Sequence, residues 1–218
     1  MARNKHPEET VKRILDVAMK LFMEQGYDNT TLADIIRVTG FSKGAIYHHF
    51  VSKAEILLRI CDRIGEENAA QLARIREDRT LNGQQKLREV FRAALLTDNQ
   101  QTMLNILPTL TDNPQFLAVE MKSIFEEAVP DYIAPIVREG IEDGSIGAEH
   151  PKETAEALVT LSDLWLNPMV MPTTPEETRA KCDVYNQIAA GFGMEPLLDE
   201  ELIEALVGYA RRKMERLG

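Results

Sequence analysis

Residues 31–53 read TLADIIRVTGFSKGAIYHHFVSK, and this stretch decides the fold. Thr31 is a hydroxyl N-cap set just before Leu32, Ile35 and Ile36, an apolar group at helical spacing. Gly40 interrupts that pattern with a residue able to take positive φ where the chain must turn sharply. Ser42 is a second hydroxyl cap, opening a short segment with Ile46 and Phe50 on one face and Lys43, Gly44, Ala45, Tyr47 and His48 on the other. Two short helices across a glycine turn form the frame in which a second helix enters the major groove of DNA.

The outward residues suit that task. Lys43 reaches a phosphate or a guanine edge, Gly44 removes bulk from the approach, and Ala45 suits a thymine methyl. Tyr47 and His48 donate to phosphate or base, and Lys53, at the start of the next helix, is placed for one more phosphate. The bland alternative for Lys43 and Lys53 is solvated surface charge. For Tyr47 it is a ring packed on the first helix, with only the hydroxyl outward. Residues 35–54 hold Arg37, Lys43 and Lys53 and no Asp or Glu, a cationic window on a chain of net charge -10.

The segment TLADIIRVTGFSKGAIYHHFVSKAEIL closely resembles the DNA-binding segment of the tetracycline-repressor (TetR-type) family of bacterial transcriptional regulators. Gly26, Thr31, Leu32, Ile35, Gly40, Ser42, Lys43, Gly44, Ile46, Tyr47, His49, Phe50, Ser52, Lys53 and Leu57 carry the resemblance in register. Ile36 and Thr39 stand where many members have alanine, and Phe41 where many have valine; these are packing positions that bear on the interhelical angle. The resemblance implies a DNA contact for His48 and a supporting contact near the backbone for His49. The two imidazoles, adjacent in sequence, lie ~100° apart on a helix and do not share a metal-binding face.

The chain has 218 residues, 44% hydrophobic and 28% charged, the profile of an ordinary globular protein. Residues 1–55 carry eight Lys/Arg against seven Asp/Glu, so all of the net negative charge lies beyond them. Such an acidic body repels the DNA backbone and confines contact to the N-terminal module; it also solubilises helix surfaces, and both readings stand. Cys61 and Cys182 lack metal-ligand spacing and read as two thiols in a reducing cytosol. With a polar start, MARNKHPEET, and no apolar run of about 20 residues, no secretory signal or membrane span is expected, and the protein is expected in the cytoplasm.

Outward from the motif, the periodicity predicts helices throughout, and the fold class is all-α. A first helix runs from Glu8 to Gln25, its stripe of Val11, Ile14, Leu15, Ala18, Leu21 and Phe22 covering the motif and Gly26 ending it. Ahead of it, Arg3, Lys5 and His6 form an arm that either touches DNA or is disordered. Ser52 and Glu55 read as a capping box opening a helix from Lys53 to Asp78, which in the resemblance links the DNA-binding module to the body. Further helices are expected over 82–98, 101–107 and from Asn113-Pro114 onward, with a kink or break at Pro130. Others follow over 151–166, which is apolar nearly all round, 176–190 and 199–216. The domains are expected as residues 1–55, a helix-turn-helix DNA-binding domain, and 56–218, a helical ligand-binding and dimerisation domain.

TetR-type bodies hold a small-molecule pocket between their middle helices, and the resemblance points to Met103, Leu107, Met121, Phe125, Tyr132, Leu161, Trp165 and Met169 as its lining. Methionines and aromatics make an adaptable apolar cavity, and equally an ordinary core. Asp163 interrupts LVTLSDLWL and either meets a cationic or hydrogen-bonding ligand, faces solvent or caps a neighbouring helix. The resemblance further implies a homodimer through helices 151–166 and 199–216, a palindromic double-stranded DNA operator and an unknown small-molecule effector. The expected function is a ligand-responsive repressor; the alternative is the same fold modulated by a protein partner, or acting as an activator. No Glu-x-x-His pair, phosphate-binding glycine loop, nucleophile elbow or HExxH is present, so no enzyme, cofactor or metal is expected.

Overall fold

The computed structural model describes residues 7–96 and 121–217, all of its regular structure helical. The expected arm residues Arg3, Lys5 and His6, the helix over 101–107, the Asn113-Pro114 start, and the candidates Met103 and Leu107 lie outside the described residues. The chain divides into two compact units, one ending at Glu67 and the other beginning at Asn68. The division falls inside a helix, not at its start.

The first unit contains α1 (Pro7–Gln25), α2 (Leu32–Thr39), α3 (Lys43–His49) and the beginning of α4 (Lys53–Glu77). Each helix contributes covered apolar side chains: Ile14, Ala18 and Phe22 from α1, Ile35 from α2, Ile46 from α3, Ile56 and Ile60 from α4. Burial of each large member stabilises the unit by about 1.5–3 kcal/mol. Of the predicted α2 stripe, Leu32 and Ile36 are only half-buried, so Ile35 is its anchor. Buried Thr39 returns its hydroxyl to the Ile35 carbonyl at 2.7 Å, which is how a polar side chain stands at this packing position. Gly40, at φ 72°, turns the chain out of α2 while its N–H donates to the Ile36 carbonyl at 3.0 Å.

The second unit follows with α5 (Gly83–Leu96), a π-helical segment π1 (Ser123–Ile133) that runs straight into α6 (Ala134–Asp143), and α7 (Pro151–Thr160), which continues as π2 (Leu161–Trp165). Then come α8 (Pro175–Gly191) and α9 (Glu200–Leu217). Helix α6 packs on α5 and α7, and α9 packs on α8 and α5. Leu87, Val129, Ile136, Leu158, Tyr185 and Leu202 sit at the centre of their shared core. At the closest approach Gly83 meets Gly140 backbone to backbone, and Asp143 takes the Gly83 N–H at 2.8 Å.

Three sequence expectations change here. Of the kink or break expected at Pro130, the break does not occur: the segment around it is π-helical, and the Ala134 N–H donates five residues back, to Val129. The wider turn gives the ring, which lacks an N–H and crowds the fourth preceding carbonyl, room to continue. The helix expected over 151–166 is α-helical only to Thr160, and beyond it the Leu166 N–H reaches back five residues to Leu161 at 2.8 Å. It is also less covered than its composition suggests, with Leu161, Leu164 and Trp165 half-buried and Ala157 exposed. The capping box at Ser52 closes on one side only. Ser52 accepts the Glu55 N–H at 3.1 Å, but the Glu55 carboxylate takes the Val51 N–H, at 2.7 Å, instead of that of Ser52.

Candidate nucleic-acid interface

The residues that make α3 short are the ones that aim it. Ser42 holds an extended backbone and its hydroxyl accepts the Ala45 N–H at 3.2 Å, so the helix begins at Lys43. Phe50 returns to extended geometry and ends it. Ile46 and Phe50, at 0% and 3% exposure, fix the inward face. Lys43, Gly44, Tyr47 and His48 are thereby left exposed, with Ala45 and His49 half-buried. No atom lies within 4 Å of a Cβ placed on Gly44, so the backbone there is open to approach.

Within the exposed face the Lys43 ammonium lies over the Tyr47 ring, 5.4 Å from its centroid. Tyr47 as a residue is 43% exposed. His48 and His49 meet edge to face at 5.0 Å, and His49 in turn tilts against Phe50 at 6.5 Å. Among the described residues no group of three or more His, Cys, Asp or Glu side chains is arranged to hold a metal ion.

Helix α2 is capped more completely than its Thr31 alone announces. The Thr31 hydroxyl accepts the Asp34 N–H at 3.2 Å and the Asp34 carboxylate accepts the Thr31 N–H at 3.0 Å, a reciprocal box. A bond from the Thr31 hydroxyl, another from Arg37 and the Thr31 N–H together hold the Asp34 carboxyl down to about 2. Asp34 was absent from the sequence reading, although the spacing Thr-x-x-Asp is the signal that finds it. Arg13, also unforeseen, lays its guanidinium over the Phe41 ring at 5.4 Å, bracing the turn from α1.

Lys53 is placed differently from Lys43. It is half-buried, its ammonium donates to the Tyr27 carbonyl at 2.6 Å, and it lies 4.0 Å over the centroid of the Tyr27 ring. Burial, and then the neighbouring Asp28, raise the Tyr27 phenol above its ordinary value.

In the second unit, Met121, Tyr132, Leu161 and Trp165 are half-buried against one core to which the buried Met169 belongs, whereas Phe125 is exposed. Asp163 is half-buried and accepts the Ser162 hydroxyl at 3.1 Å. It also stands close enough to Tyr185 to reinforce the rise that burial imposes on that phenol. Trp165 is engaged by Lys181, which donates to its carbonyl at 2.7 Å and lies over its ring at 5.2 Å. No described helix is long and apolar enough to cross a membrane.

Residues 14–60 match the family described as "Bacterial regulatory proteins, tetR family". The HTH-type transcriptional regulator AcrR of Shigella flexneri is 40% identical over 74 residues, 33% of this chain and 34% of AcrR. The HTH-type transcriptional repressor AcnR of Corynebacterium glutamicum is 32% identical over 135 residues, 59% of this chain and 66% of AcnR. The chain thus spans between about a third and two thirds of the length of these relatives. Among solved structures, a complex of SmeT with triclosan superposes with a TM-score of 0.60 at 24% identity, over 84% of this chain and 91% of that one. SmeT is described as the repressor of a Stenotrophomonas maltophilia multidrug efflux pump. At that identity the likeness speaks for the fold.

Proposed function

From the match of residues 14–60 to the tetR family of bacterial regulatory proteins we propose that this chain is a ligand-responsive transcriptional repressor of that family. It binds DNA as a homodimer, each subunit laying residues 42–50 in a major groove of a near-palindromic operator. The observation that carries this reading is the two-sidedness of α3. One face is locked inward by Ile46 and Phe50, and the opposite face offers Lys43, Gly44, Tyr47 and His48 to solvent without an acidic residue among them. A rigidly seated helix of seven residues with that outer face suits groove contact, because phosphate and base contacts depend on placement within a fraction of an ångström.

Helices within 151–166 and 199–216 of both subunits form the dimer contact. The effector binds against the half-buried set Met121, Tyr132, Leu161 and Trp165, with Asp163 as the polar group that orients it. A triclosan complex of a similarly folded repressor supports a small apolar effector. Release follows only if the effector prefers a body shape that misplaces the two reading helices, since equal affinity for both states shifts nothing.

The test is a selection of genomic fragments by the purified full-length protein at a stated salt concentration. The expected product is a near-palindrome with half-sites about one helical turn (~34 Å) apart or a multiple of it. Fragments enriched no better than random at physiological salt sink the proposal.

A further inference from the structure

We propose that Tyr185 and Lys181, one turn apart on α8, are positioning residues: together they clamp the π-helical register of Leu161–Trp165 and thereby set how Asp163 and Trp165 are presented. The clamp rests on the effector-site reading above for its use, and not for its existence.

Where α7 gives way to π2, side chains take hold of the backbone carbonyls. The Thr160 hydroxyl donates to the Glu156 carbonyl at 2.7 Å and the Ser162 hydroxyl to that of Val159 at 2.9 Å, both within the helix itself. Two more bonds come from α8. The Tyr185 hydroxyl donates to the Leu158 carbonyl at 3.1 Å, and the Lys181 ammonium to the Trp165 carbonyl at 2.7 Å. One acceptor stands just ahead of π2 and the other is its last residue, so the two bonds bracket the segment.

In an uninterrupted α-helix the Leu158 carbonyl serves the N–H four residues on, that of Ser162. Here the Leu161 N–H is shared between the Ala157 and Leu158 carbonyls, and the Leu166 N–H reaches back five residues to Leu161 at 2.8 Å. A hydroxyl seated on Leu158 competes with the backbone N–H that restores the α ladder, and so favours the wider turn. Tyr185 is suited to that task. It is fully buried and its ring meets Phe91 edge to face at 5.7 Å, so the hydroxyl cannot follow an acceptor that moves. Burial, reinforced by Asp163, keeps the phenol protonated, and a protonated phenol facing a carbonyl donates. Lys181 fixes the far end: a cation suits the carbonyl end of a helix, and this ammonium also lies over the Trp165 ring at 5.2 Å. Relaxation of π2 to α bonding turns the residues beyond the change by ~100°, and Asp163 and Trp165 then leave their present directions.

The experiment uses the full-length protein as wild type, Tyr185→Phe, Lys181→Met and Lys181→Arg, with neither operator nor effector present. Two quantities are read. One is amide hydrogen exchange at Leu166, whose N–H makes the π bond to Leu161, with Ala134, which makes the matching bond in π1, as the internal control. The other is acrylamide quenching of Trp165, the single tryptophan. Tyr185→Phe removes one oxygen and keeps the ring against Phe91. Expected for it are exchange at Leu166 faster by about fivefold, the equivalent of one hydrogen bond, and no change at Ala134. Quenching of Trp165 differs from wild type in the same variant. Lys181→Met also speeds the Leu166 amide, and Lys181→Arg, which keeps a cationic donor, holds it at the wild-type rate. Unchanged exchange at Leu166 in Tyr185→Phe overturns the clamp. Equal acceleration at Leu166 and Ala134 overturns it too, by making Tyr185 a support of the whole unit. Wild-type quenching in Tyr185→Phe overturns its part in presenting Trp165, and a Lys181→Arg rate as fast as that of Lys181→Met removes Lys181 from the clamp. If Tyr185→Phe does not fold, the two Lys181 variants decide the matter at the same amide. A wild type that selects no operator ends the regulator reading and leaves each of these outcomes as it is.

Discussion

Gly83→Ala is the substitution on which the packing of the second unit is most exposed to refutation. A Cβ built at Gly83 lies 2.3 Å from both the Cα and the N of Gly140 and 2.8 Å from the Ile136 carbonyl oxygen. Non-bonded carbons rest about 3.5–4.0 Å apart, so the two helices must separate by more than ~1 Å. Every one of those neighbours is backbone, and no side-chain rotation relieves the contact. Separation also pulls on the bonds that Asp143 and Ser145 make to the N–H groups of Gly83 and Gln84. Overpacking of this kind costs about 1–3 kcal/mol, and alanine's better helix propensity returns less than ~1 kcal/mol at a first-turn position. A net loss of about 2 kcal/mol lowers the melting temperature of a unit of about 150 residues by roughly 4–8 °C. The assay is thermal unfolding followed by far-UV circular dichroism and by fluorescence of Trp165, the single tryptophan, which reports on this unit. Gly65→Ala is the control: it lies inside α4 with nothing within 4 Å of its added methyl and gains about 0.5–1 kcal/mol. A Gly83→Ala protein that melts at or above the wild-type temperature refutes the close approach of α5 and α6.

Three other outcomes are expected. Lys43→Ala weakens operator binding and makes its salt slope shallower by about one unit if the ammonium meets a phosphate, or leaves the slope and relaxes base choice if it meets a guanine; unaltered binding means that α3 is not the reading helix. Asp34 is held at about 2 against an ordinary 3.8, so its stabilisation is present above 3.8 and is lost as pH falls through about 2. The stability difference between wild type and Asp34→Asn is accordingly constant above pH ~4 and shrinks below it, and a difference undiminished at pH ~2 contradicts the capping box. Burial, reinforced by Asp183, pushes the Cys182 thiol up to about 12, so a thiol reagent at mildly alkaline pH modifies half-buried Cys61 in the native protein and Cys182 only on unfolding. Equal native rates at the two positions would contradict that burial.

What the sequence disclosed was what short-range chemistry dictates. Thr31, Gly40 and Ser42 mark their helix ends because cap and turn bonds join residues two to four apart, and the inward set Ile35, Ile46 and Phe50 follows from spacing alone. The bond from Lys53 to Tyr27 and the contact of Gly83 with Gly140 were not legible, because each joins positions that only the folded chain brings together. Pro130 shows the same limit from the other side. Its local effect is to end an α-helix, and π geometry, which periodicity does not reveal, removes the conflict. The effector candidates divide for a related reason: the resemblance and their residue types grouped Phe125 with Tyr132, and the fold half-buries Tyr132 while exposing Phe125.

The two π segments bear on how this body can change in length. A hydrogen-bonded ring that spans five residues holds one residue more than its α-helical equivalent. Losing one residue from Leu161–Trp165 lets ordinary helical bonding resume, with the flanking turns keeping their faces. Losing one from the middle of α6 instead swings every following side chain by ~100° out of the core. Insertions and deletions in relatives are therefore expected within such helical stretches and not only in the loops between helices.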